Sequence, residues 1–138
     1  MRITKKYLNE LTYKIIGCAI EVHKQLGPGL LESVYEKCFL RELSIREIAY
    51  KNQLCVPLQY KNLKLDAELR LDVLVEDVLC VELKAQEGLL PIHDAIILSY
   101  MQMLQKPKCV LINFHSVNIF KEGQKTLVNN LFSMLPEE

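Results

Sequence analysis

The sequence predicts an α/β fold, a mixed β-sheet flanked by helices, and three observations predict it. Apolar residues recur at helical spacing up to a Gly27-Pro28-Gly29 break. The pattern then changes to alternation between Leu63 and Val75, broken only at Leu74. It returns to helical spacing after Pro91, ahead of an apolar run at Lys108–Phe114.

Taken in order, Tyr7, Leu8, Leu11, Ile15, Ile16, Ala19, Ile20 and Leu26 lie on one face of a helix over residues 7–26. Pro28 cannot continue that helix, and either flanking glycine can take the positive φ that ends it. A second helix is predicted over Leu30–Arg46, with Leu31, Val34, Tyr35, Cys38, Phe39 and Ile45 inward. A short strand, interrupted or edged at Pro57, covers Gln53–Tyr60. One long strand covers Leu63–Val75, a turn falls at Glu76-Asp77, and Val78–Ala85 pairs back as a hairpin. A helix over Ile92–Leu104, a strand over Lys108–Phe114, a further strand at Val117–Lys121 and a closing helix over Gln124–Met134 complete the order. Three antiparallel strands followed by a helical crossover predict a mixed sheet.

The length of 138 residues fits one domain, 1–138, with a single core. Seventeen basic residues balance seventeen acidic ones, so no global field attracts DNA or an anionic membrane. Cys18, Cys38, Cys55, Cys80 and Cys109 show no C-x-x-C or Cys/His spacing, which argues against structural zinc. Each lies in an apolar run and reads as a buried thiol in a reducing, cytoplasmic setting. No apolar segment follows the N-terminus as a secretory leader would require, and none approaches a membrane span.

The chemistry-bearing feature is Asp72 followed by Glu82-Leu83-Lys84. Glu82 and Lys84 point to one face of a strand, and the opposing strand brings Asp72 alongside. A tight two-residue turn would set Asp72 opposite Val81, on the wrong face. For Asp72 and Glu82 to share a face, the loop must be odd or a bulge must shift the register. Leu74, apolar where the alternation expects a polar residue, favours a shift. Two close carboxylates repel unless a cation lies between them, and hard oxygen donors suit Mg²⁺. From spacing alone, a solvated salt-bridge ladder stands level with this reading.

Asp72-x9-Glu82-Leu83-Lys84 resembles the D…(D/E)-x-K signature of the PD-(D/E)XK nuclease superfamily, whose core is restriction-endonuclease-like. Gly29-Leu30-Leu31-Glu32-Ser33-Val34-Tyr35 resembles the G-x-x-E-x-x-Y motif that names a small bacterial and archaeal family within it. The stretches Cys18–Gly29, Leu69–Val75 and Val81–Ala85 are similar to that family too, and the likeness runs from about Leu11 to Phe120. The resemblance implies a metal-dependent nuclease that hydrolyses phosphodiester bonds by attack of a metal-activated water. DNA is favoured over RNA as its partner. Glu32, Asp72, Glu82 and Lys84 match the catalytic set. Asp72 and Glu82, with Glu32, match the ligands for Mg²⁺ or Mn²⁺. Tyr35, one turn after Glu32, and Arg70, beside Asp72, are expected to contact substrate, although Tyr35 reads equally as a core aromatic.

Where relatives often carry a glutamine after the E-x-K strand, the matching position is Ile96, with His93 and Tyr100 on the same helix. Ile96 and the zero net charge favour a second reading, a catalytically inactive nuclease-fold module that binds nucleic acid or protein. A third expectation is a homodimer, because so small a domain would need a second copy to grip a duplex.

Overall fold

The computed structural model describes residues 2–65 and 69–138. Its elements are α1 (Lys5–Leu26), α2 (Glu32–Ile45), β1 (Tyr50–Cys55), β2 (Leu58–Tyr60), β3 (Leu63–Leu65), β4 (Arg70–Val75), β5 (Leu79–Lys84), α3 (Pro91–Leu104), β6 (Lys108–Asn113), α4 (Ile119–Glu122), β7 (Gln124–Val128) and α5 (Asn130–Ser133). Five strands form one sheet in the order β1-β4-β5-β6-β7, parallel between β5 and β6 and antiparallel elsewhere. β2 and β3 pair only with each other. This is the mixed sheet flanked by helices that the sequence predicts.

Helices cover both faces of the sheet. Leu8, Leu11, Ile15, Cys18, Ala19 and Val22 of α1 and Tyr35, Phe39 and Leu43 of α2 bury one face, against Val73, Val81, Leu83 and Ile112. On the other, Ile97 and Met101 of α3 cover Leu74, Cys80, Cys109 and Leu111. Burial on two sides explains why β5 and β6 read as continuous apolar runs. It also explains Leu74: its side chain enters the α3-side core. Thr4 caps α1 by accepting a hydrogen bond from the Tyr7 amide at 3.0 Å, and Gly27 ends it at φ 70°.

Several expectations are corrected. The predicted strand over 63–75 is two strands in two sheets, with residues 66–68 outside those described. Cys55 pairs with Arg70 and Leu58 with Leu65, so two residues lie between the pairs on one side and four on the other. The ladder cannot continue through Pro57, which has no N–H to donate. Residues 117–121 form no strand. Asn118 accepts from the Lys121 amide at 2.9 Å and starts a helical turn instead. The predicted closing helix begins as an edge strand, β7. Asn129 then caps the Leu131 amide at 3.0 Å and opens the short α5. Cys18, Cys80 and Cys109 are buried, but Cys38 is half-buried and Cys55 is exposed on edge strand β1; all five are free thiols. Among the described residues no helix is long and apolar enough to cross a membrane.

The Tyr35 and Phe114 rings stack with centroids 4.5 Å apart and planes within 3°. Both side chains are fully buried where α2 meets the end of β6. Phe114→Ala is expected to lower unfolding free energy by about 3–5 kcal/mol through lost burial and the cavity left behind, measured by urea denaturation.

Candidate active site

The β4–β5 hairpin resolves the register question. Val75 pairs with Leu79 across a three-residue loop, Glu76-Asp77-Val78. Glu76 (φ 50°) and Asp77 (φ 61°) are left-handed, as a type I′ turn requires, and Val78 is the extra residue. The loop is odd, so the register continued past Val73–Val81 sets Asp72 opposite Glu82.

At that pair the ladder changes character. The Asp72 amide donates to Glu82 Oε1 at 2.9 Å, and the Leu83 amide donates to Asp72 Oδ2 at 2.8 Å. Each carboxylate thus takes the place of a backbone carbonyl and is fixed by the opposite strand. Alternation also breaks here. Leu71 enters the α3-side core, whereas Val73 enters the α1–α2 core. Gln53, the residue facing Asp72 in the β1–β4 register, is left-handed at φ 50°. The face change in β4 and the left-handed residue in β1 thus fall at the same register position, beside the two acids.

Burial raises Glu82, which is 6 % exposed, and the Asp72 carboxylate raises it further. The Asp72 amide and Lys84 pull the other way, yet the Glu82 carboxyl is pushed up to about 8. Asp72 is raised by burial, against the Leu83 amide, Lys84 and the Gln53 side chain. Glu32, the first residue of α2, is raised by burial and by Asp72 and lowered by Lys84 and a hydrogen bond from the Ala85 backbone. These residues therefore share one electrostatic neighbourhood. Among the described residues no group of three or more His, Cys, Asp and Glu side chains is arranged to hold a metal ion.

Lys84 ends β5 half-buried, and among the described residues it makes no ion pair. Its backbone is held firmly. The Phe114 amide donates to Lys84 O at 2.8 Å. Asn113 clamps the next loop, accepting from the Gln86 amide at 3.2 Å and donating to Gln86 O at 2.9 Å.

Tyr35 and Arg70 lie differently. The Tyr35 ring is in the core, and its hydroxyl donates to Gly27 O and accepts from the Leu30 amide at 3.2 Å. It secures the corner that presents Glu32. Arg70 is exposed at the start of β4, two residues before Asp72.

Three residues absent from the predicted set belong to this neighbourhood. The Gln53 amide donates to Glu36 Oε1 at 2.7 Å and also holds the Asp72 carboxyl down. Glu36 is raised by burial and by Asp72 and Glu32. Its place one turn after Glu32 was a signal available in the sequence. On α3, the Tyr100 hydroxyl is raised by burial and then by Glu82 and Asp72, so it lies within their field. Ile96, one turn earlier, is 41 % exposed and offers no polar contact. His93 accepts from the Leu90 amide at 2.9 Å and caps α3.

Tyr35→Phe is expected to cost about 1 kcal/mol of stability through its lost hydroxyl bonds, read from the urea midpoint. The Glu82 shift sets a pH dependence. Its carboxyl is near 4.5 when unfolded and about 8 when folded, so the folded state binds the extra proton between these values. The stabilisation is complete below the unfolded value and lost as pH rises through the folded one. Without divalent cations the unfolding midpoint should fall between pH 5 and pH 8, and Glu82→Gln should flatten that slope (pH range set by the values above).

A family model described as the PD-(D/E)XK nuclease superfamily matches residues 9–126, a span that includes Glu32, Asp72, Glu82 and Lys84. Comparison with curated proteins and with solved structures gives no match. With the D…E-x-K pair set face to face on a mixed sheet and most of its length matched, the chain belongs to the PD-(D/E)XK nuclease superfamily.

Proposed function

We propose that this chain, as one domain over residues 1–138, is a divalent-metal-dependent nuclease of the GxxExxY family that hydrolyses phosphodiester bonds of DNA. The observation that carries the reading is the Asp72–Glu82 pair. Two carboxylates face each other, each fixed by the other strand's amide, and burial beside Asp72 pushes Glu82 toward its neutral form. A cation between them would relieve that repulsion.

The donor set fits such an ion. PD-(D/E)XK nucleases generally use divalent metals. The hard carboxylate oxygens of Asp72 and Glu82, with Glu32 in the same neighbourhood, suit Mg²⁺, which retains several waters and takes substrate oxygens. Mn²⁺ shares this ligand preference. When bound, the ion supplies Lewis-acid activation of a water and neutralises phosphodiester charge.

The remaining roles fall to this chain's side chains. Asp72 and Glu82 bind and orient. Lys84 positions the attacking water and stabilises charge developing on the phosphoryl oxygens. Glu32, at the start of α2, assists Asp72 and Glu82 in holding the ion. Arg70 reaches a phosphate, whereas Tyr35 acts through the corner it secures. Tyr100 offers a hydroxyl where Ile96 offers none. The five free thiols fit a reducing cytoplasm. A homodimer would give a duplex two sites of contact.

The test is calorimetric titration of Mg²⁺ and Mn²⁺ beside cleavage of plasmid and single-stranded DNA. Wild type should bind metal and cleave; Glu82→Ala should do neither. Lys84→Ala should keep metal binding and lose about 10²–10⁴-fold in cleavage rate. Absence of metal binding in wild type would overturn the reading. Metal or DNA binding without cleavage would instead establish the non-catalytic module that Ile96 favours.

A further inference from the structure

The β2–β3 hairpin plays no part in the chemistry just described, yet it leaves the sheet at the site. β1 ends at Cys55, paired with Arg70, two residues before Asp72. The Val56 amide donates to Leu69 O at 2.8 Å, and Leu58 begins β2 two residues further on. Three residues of chain span at most about 10 Å, so the hairpin's base lies close to the end of β1.

Its surface is unusual. Leu58 pairs with Leu65 and Tyr60 with Leu63, so these four side chains share one face. Tyr60 is 61 % exposed, Leu63 58 % and Leu65 42 %. A two-stranded hairpin has little stability of its own in water, and an exposed apolar face on one signals contact with a ligand. The charge is equally one-sided. From Ile48 to Leu65 the sequence holds no aspartate or glutamate, although the whole chain is neutral; acids resume at Asp66. Lys61 (φ 45°) and Asn62 (φ 71°) form the tip, and Lys64 lies on the opposite face of β3. Lys61 Nζ stands 5.3 Å from the Tyr60 ring centroid.

We propose that this hairpin is a binding surface for single-stranded nucleic acid, with unpaired bases on the Tyr60–Leu63–Leu65 face and phosphates at Lys61 and Lys64. This rests on the nuclease reading and names its substrate class. An aromatic beside a cation serves a base and its neighbouring phosphate together, which is how single strands are held without sequence preference. A duplex keeps its bases stacked inside and presents sugar and phosphate, for which an apolar face has no partner.

Fluorescence anisotropy with labelled dT20, and with the same strand in a duplex, tests this in Ca²⁺ buffer. The proteins are wild type, Tyr60→Ala, Tyr60→Phe, and the Lys61→Ala/Lys64→Ala double variant. Wild type should prefer the single strand. Tyr60→Ala should weaken that binding about tenfold, and Tyr60→Phe should restore most of it. The double variant should reduce the slope of log affinity against log salt by about 1. Unchanged single-strand affinity in both alanine variants, with cleavage still lost in Glu82→Ala, overturns the hairpin proposal and leaves the nuclease reading standing. A wild type that neither binds nor cleaves overturns both. A change in sedimentation coefficient without a change in affinity makes the face a contact between copies and also overturns the proposal.

Discussion

Everything at the candidate site depends on one exchange between β4 and β5. Where two backbone carbonyls would ordinarily receive the amides of the opposite strand, two carboxylates receive them instead. The exchange satisfies two buried N–H groups, which is the condition for ending a ladder inside a core. It also fixes both acids without help from loops. The cost is electrostatic, since both carboxyl groups are held above their ordinary range by burial. That cost falls between strands covered by helices on both faces.

The surrounding architecture supports this pair in layers. β6 runs parallel to β5 and holds Lys84 through the Phe114 amide, while Asn113 fastens the following loop. On the far side of the sheet, the Tyr35–Phe114 stack and the Tyr35 hydroxyl connect α2, the Gly27–Leu30 corner and the end of β6. Glu32 is therefore delivered by a corner braced from within the core, and Gln53 links Glu36 of the same helix to the strand facing Asp72.

Much of this was legible in the sequence, for identifiable reasons. α1 followed from period and α2 from the Gly-Pro-Gly break, although Leu31, Val34 and Ile45, expected inward, are exposed and Leu43 is buried in their place. The parity argument at the hairpin required an odd loop, and Val78 supplies the odd residue. What alternation could not reveal was that Leu63–Val75 changes sheets, because the pattern of Leu63 and Leu65 matches that of the strand beyond them. The closing segment misled for the opposite reason: Thr126-Leu127-Val128 has strand character, but the helical turn after Asn129 extended the apparent helical period backward. The part of Gln53 depends on a register and on its own left-handed backbone, which no spacing announces, whereas Glu36 was readable from its place one turn after Glu32.

The borrowed carbonyl positions also make the site visible from the backbone. The amide protons of Asp72 and Leu83 lie against side-chain oxygens whose charge can change, unlike amides of an ordinary ladder. Their nitrogen and proton resonances are therefore native spectroscopic probes of the acids. Ionisation, or occupation by a cation, would be read at two main-chain positions without any label at the side chains themselves.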